Sequence, residues 1–143
     1  MLAAEIRGQD QLEAKIAGLT KAFDTRDVLD ESAAILLNSI RNRFLRGVDT
    51  EGQPWTVSYA AVARAKSGRG GGTLFDTGRL FHSLQEFVVD DQSRAIGTDV
   101  PYARKHQMGE EGMIRREFLG FSQPNLDTIR AMLVRRAAEA LGG

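Results

Sequence analysis

Apolar residues recur at helical spacing towards both ends of the chain and lose that rhythm in the middle. In residues 9–22 (QDQLEAKIAGLTKA) and just beyond, Leu12, Ile16, Leu19 and Phe23 follow one another at intervals of four, three and four, the mark of a single apolar stripe on a helix. A second helix is predicted over 27–46. Acidic Asp27, Asp30 and Glu31 stand where a helix dipole is positive, and Arg41, Arg43 and Arg46 stand where it is negative. Val28, Ala33, Leu36, Leu37, Ile40 and Phe44 form its stripe, and Ile35 and Leu45 widen it beyond one face. Such a helix is expected to be buried on two sides or to touch another subunit.

Between Gly47 and Gly78 the periodicity stops, and seven of the chain's 15 glycines lie there together with its one tryptophan. Apart from a short helix at 59–66, residues 47–76 read as a long loop, a length that usually signals function or ordering by a partner. Strand alternation returns over 84–89 and again over 95–98. The polar Asp90-Asp91-Gln92-Ser93 between them makes 84–98 a hairpin with a connection of about four residues. Pro101 suits the start of a helix over 102–108, ended by Gly109. Residues 113–119 (MIRREFL) predict one more strand, so the sheet region is read as 84–119. The last helix, over 124–141, opens on Pro124 with Asn125 as its cap and carries Leu126, Ile129, Leu133, Ala137 and Ala140 or Leu141 on one stripe. Helices, loop, sheet and helix in that order predict an α+β class: a single domain over 1–143, its N-terminal helices (9–46) and C-terminal helix packed on a small, mostly antiparallel sheet.

Composition narrows the chemistry. The 143 residues suit one domain, which at this size needs no disulfide or metal to fold. There is no cysteine, so thiolate metal sites, disulfides and cysteine nucleophiles are excluded. Nineteen basic residues balance 19 acidic ones, which removes bulk attraction to nucleic acid and also the self-repulsion that keeps proteins apart. That balance favours an assembly subunit. No leader and no run approaching the ~20 apolar residues of a membrane span is seen, so neither secretion nor a membrane partner is expected.

The two histidines, His82 and His106, stand in no nucleophile or metal motif and read as packed or surface residues. Asp90-Asp91 and Glu110-Glu111 read as solvated turns rather than a metal site. The glycines at 68–72 lack the lysine and hydroxyl of a phosphate loop. With Arg64, Lys66 and Arg69 they offer at most salt-sensitive contact to DNA phosphates, and a solvated basic loop is the simpler reading. No catalytic residue, cofactor or metal ligand is therefore predicted. Trp55, in Gly52-Gln53-Pro54-Trp55, has two readings of equal weight: a plug for the domain's own core or an anchor for a subunit contact.

Phe44 is followed by Gly52-Gln53-Pro54-Trp55, then by Leu74-Phe75-Asp76-Thr77-Gly78-Arg79-Leu80 with His82-Ser83-Leu84. Ile96-Gly97-Thr98, Tyr102-Ala103, His106-Gln107 with Gly109, and Arg116-Glu117-Phe118-Leu119-Gly120 complete the series. In this order and spacing, over about residues 35–140, the chain resembles the virion morphogenesis family of tailed bacteriophages, which includes tail-completion and neck proteins. Arg116-Glu117 departs from the Pro-Ala-Arg or Arg-Pro that such proteins often carry before Phe-Leu-Gly. The resemblance implies a non-enzymatic structural subunit forming a homo-oligomeric ring, of six or twelve copies, at the head–tail junction of the virion, assembled in the host cytoplasm. It also implies tail tube and head-side connector proteins as partners, with non-specific DNA contact in the channel as a further role. A head-side connector or stopper, or a small binding module unrelated to phage, is the alternative.

A ring needs two different complementary patches on each copy. The loop with Trp55 is expected to supply one and the region 84–109 the other, with Trp55, Arg64, Lys66, Arg69, Phe75, Tyr102 and His106 as contact residues. On this reading Trp55→Ala would abolish the ring and leave the monomer folded.

Overall fold

The computed structural model describes residues 2–7, 24–68, 72–74 and 78–142. The helix predicted over 9–22 lies outside them. The elements run β1 (Leu2–Arg7), α1 (Thr25–Arg46), α2 (Tyr59–Lys66), α3 (Arg79–Ser83), β2 (Gln85–Asp90), β3 (Ser93–Thr98), α4 (Ala103–Met108) and α5 (Gln123–Gly142). This is the α+β arrangement that the pattern predicts.

The sheet is antiparallel, in the order β1-β3-β2. The hairpin turns through Asp91 and Gln92 alone, tighter than the predicted four residues, and its register slips between Val88 and Asp90. The third strand comes from the N-terminus: β1 pairs with β3 from Leu2 opposite Thr98 to Arg7 opposite Ser93. Leu2, Ala4 and Ile6 alternating with Ala3, Glu5 and Arg7 is the signal that would have revealed it. In return, 113–119 forms no strand. Its backbone is engaged elsewhere. The N–H of Arg116 donates to the His106 carbonyl (2.7 Å), and those of Phe118 and Leu119 donate to Oε1 of Gln107 (2.9 and 3.0 Å).

Helix α1 starts where Oδ1 of Asp24 accepts the Arg26 N–H. It contacts both the sheet and α5, so the wide stripe reports burial on two sides within one chain. Towards the sheet, Asp30 accepts from Nε of Arg94 (2.8 Å), and Arg41 donates to the Leu84 carbonyl (3.2 Å). Towards α5, Glu31 accepts from Arg135 (2.7 Å) and Arg136. The hydrogen bond from Arg136 holds the Glu31 carboxyl below its usual range; burial opposes it, and Arg135 adds to the lowering. Between these polar edges Val28, Leu29, Ala33, Leu36, Ile40 and Phe44 fill the core with Ile96, Phe118, Ile129 and Leu133. Leu45 is exposed instead.

The cap of α5 is Ser122 rather than Asn125. Oγ of Ser122 accepts from the Asn125 N–H, and Oδ1 of Asn125 accepts from the Ser122 N–H, a reciprocal box three residues wide. Asn125 also reaches Oγ of Ser39 on α1, which fixes the crossing of the two helices.

Candidate interaction site

The ordered motifs converge in space. Phe44 meets the rings of Trp55 (5.6 Å, edge-on), Phe81 (5.7 Å) and Phe118 (5.9 Å, edge-on). Nε1 of Trp55 donates to the Glu117 carbonyl (2.8 Å), and Glu117 Oε1 accepts from the hydroxyl (2.6 Å) and N–H (3.2 Å) of Thr50. Residues 47–56 and 113–122, both without regular structure, are thus clasped together. Gly120 makes the close approach possible: at φ +137° it has no Cβ, and one built there would stand 2.9 Å from Cγ2 of Thr50. Trp55 is only 8% exposed, so within this chain it fills the core, the first of its two readings. Trp55→Ala would therefore open the core, contrary to the expectation that it would spare the monomer.

Beyond Trp55 the predicted contact residues divide. Arg69 and Phe75 lie outside the described residues. Lys66 is exposed at the end of α2. Arg64 is buried, and its guanidinium donates to the Gly72 carbonyl (2.9 Å), so it does not extend into solvent as a cation for DNA would. Asp91, Glu110 and Glu111 are spent on surface ion pairs with Arg26, Arg104 and Lys105. Among the described residues no three or more His, Asp or Glu gather closely enough to hold a metal ion.

Arg64, Tyr102 and His106 come together around a cavity of about 420 Å³. Three short elements bound it. Helix α2, capped by Ser58 Oγ on the Ala61 N–H, presents Ala60 and Arg64, one helical turn apart. Gly78, Arg79 and Leu80 open α3, and Tyr102, at the N-cap of α4, lies one turn before His106. Gly109 ends α4 at φ +71°, where a Cβ would sit 3.0 Å from that of Arg115, so the chain can double back and bring Met113 and Arg116 onto the fourth wall. Leu74, also in the lining, is held at φ +69°, a region that bulky L-residues rarely enter.

Arg64, Arg79 and Arg116 all line the site, and among the described residues that line it there is no carboxylate. Arg79 lies over the Tyr102 ring (5.7 Å), whose edge in turn meets His106 (5.9 Å). Burial, and then the charge of Arg116, push the His106 imidazole below its ordinary range. Arg79 and Arg116 belong to the ordered motifs of the sequence, which assign them no contact role. Their spacing of 37 positions gives no periodic signal, and only the folded chain places them together.

On the other side of α2 a second hollow, about 550 Å³, is lined by Val57, Ala61, Val62 and Ala65 with Lys66 at its edge. Tyr59 stands beside it, 96% exposed, and Val57 is 62% exposed. At the far end of the sheet Val88 and Val89 are exposed on β2, an edge strand. None of the described helices is long and apolar enough to cross a membrane.

A model of the phage virion morphogenesis family matches residues 9–137. No curated protein and no solved structure matches the chain.

Proposed function

Because the chain belongs to the phage virion morphogenesis family, and is on that ground a structural and assembly protein of a bacteriophage virion, we propose that it is a tail-completion subunit. It forms a closed ring at the head–tail junction and works by docking rather than by catalysis. The family match carries this reading. The surface supports it, since two separate exposed apolar patches are what a head-to-tail ring requires. One is Val57, Tyr59 and Val62 around α2, and the other is Val88 and Val89 on the β2 edge. The first patch keeps to the predicted loop and moves its exposed anchor from Trp55 to Tyr59. Tail tube and head-side connector proteins are the neighbours above and below such a ring, and the virion neck is its location.

The mass of the purified chain, measured by light scattering, is expected to be that of a closed oligomer. Tyr59→Glu and Val88→Glu should each yield monomers with unchanged circular dichroism, because both side chains are exposed. Mixing the two variants should give a dimer and nothing larger, since each keeps one patch intact. A strictly monomeric wild-type chain that is absent from purified virions would overturn the proposal.

A further inference from the structure

We propose that the two exposed patches meet each other between copies: the bulged end of β2 on one copy seats its valines in the hollow beside α2 of a second copy, with Asp90 against Lys66. This contact presupposes the assembly reading and specifies how one copy holds the next. The shape of β2 is the first observation. It is an edge strand with neither lysine nor proline, the usual protections of an open edge, and its Val88 and Val89 are 69% and 52% exposed. Adjacent residues of a regular strand point to opposite faces. Here the register slips between Val88 and Asp90, and Val89 stands outside the ladder. A further strand would find no continuous ladder to extend, whereas the bulge offers two neighbouring apolar side chains to a cleft.

The hollow is the counterpart. Val57, Ala61, Val62 and Ala65 line it, and the short alanine side chains leave room between the valines. Val57, Val62, Val88 and Val89 all remain exposed, so the two patches do not cover each other within one copy.

Charge selects the occupant. Residues 85–93 hold Glu86, Asp90 and Asp91 and no base. Asp91 is engaged by Arg26, and Asp90 is exposed at the end of β2. Lys66 is exposed at the edge of the hollow, and among the described residues that line it there is no carboxylate. Two β2 edges brought together would set acid against acid, and the same acids repel nucleic acid and an anionic membrane. A hollow beside a base and valines beside an acid fit head to tail, the heterologous contact that a ring repeats.

The absence of cysteine makes this contact directly testable. The full chain carrying both Val62→Cys and Val88→Cys, oxidised under associating conditions, should give a ladder of covalent multimers on a denaturing gel. Either substitution alone should give no cross-link, and an equal mixture of the two single variants should stop at the dimer. Leu45→Cys with Val88→Cys controls for random collision, since Leu45 is 59% exposed on α1, and should give no ladder. At low salt Lys66→Glu and Asp90→Lys, each added to the double-cysteine chain, should slow cross-linking about threefold to tenfold, and the two together should restore the rate. Circular dichroism checks that each variant is folded.

Dimers from Val88→Cys alone would overturn the proposal in favour of a two-fold pairing of β2 edges. A rate indifferent to both charges overturns it as well. An oligomer that gives no ladder removes this contact and leaves the ring. A ladder formed on open fibres, seen by electron microscopy, removes the closed ring and leaves the contact. A chain that is monomeric at every concentration and gives no ladder removes both.

Discussion

Two regions meet in this molecule, an irregular clasp and a cavity bounded by short helices, and they use their polar groups differently. In the clasp of 47–56 with 113–122, side chains take over the work of a sheet. Asp49 accepts from the N–H groups of Glu51 and Gln53, Glu117 accepts from Thr50, and Gln107 spans Phe118 and Leu119. Around the cavity, Arg116 and His106 keep donors or acceptors that no described residue uses. The clasp has unmatched atoms of its own, Nε and Nη1 of Arg43. There burial lowers the Arg43 pKa, and Glu117 and Asp49 oppose that only in part. Arg116 has no such pair among the described residues. The clasp thus shows that irregular backbone is no guide to mobility or function by itself.

The sharpest way to break this contrast is to cut the clasp. Trp55→Ala removes a buried ring packed edge-on against Phe44 and the hydrogen bond to Glu117, and it should lower stability by about 3–5 kcal/mol. Urea denaturation of the monomeric Tyr59→Glu background would measure it without interference from assembly. A loss below about 1 kcal/mol would show that the clasp is a surface ornament and that Trp55 is free to serve an interface.

Gln107→Leu is the next step down, because it keeps the side chain's volume and deletes only its polar atoms. The N–H groups of Phe118 and Leu119 lose their acceptor, and the Leu119 carbonyl loses a donor. With one or two of these groups left dry, the cost should be about 2 kcal/mol. Hydrogen exchange at Phe118 and Leu119 should speed up by a similar free energy, while exchange in β3 follows only the global change.

These two sites also show how far the sequence could be read. Helix α1, the hairpin, the glycine stop after α4 and the existence of α5 rest on local periodicity, caps and turn residues, which act within a few positions. The ordered motifs were equally visible. Their meaning was hidden, because Trp55 and Glu117 are 62 positions apart and nothing local says that an indole will replace a strand partner. MIRREFL alternates well enough for a strand, and Gln107 takes its hydrogen bonds instead. Ser122 and Asn125 are both good cap residues, and their reciprocal bonds chose between them. The cavity was half legible: Arg64, Tyr102 and His106 were named as contacts, whereas Arg116 has an identity but no address until the chain doubles back at Gly109.

The smallest expected effect lies on the cavity side and concerns pH. His106 faces Arg116 from the returning chain, with Arg79 from α3 and Arg64 from α2 on the same cavity and Tyr102 on its own helix. Burial and Arg116 hold its folded pKa below the 6.5 of a free imidazole. The unfolded chain therefore takes up a proton first as the pH falls. The contribution of neutral His106 to stability is complete above about 6.5, declines below it, and is lost once the pH passes the folded midpoint. Denaturation curves taken across this window should separate the wild type from His106→Gln, with the wild type losing more stability on acidification. Parallel pH profiles would mean that the imidazole is solvated in the folded chain, with neither burial nor Arg116 acting on it.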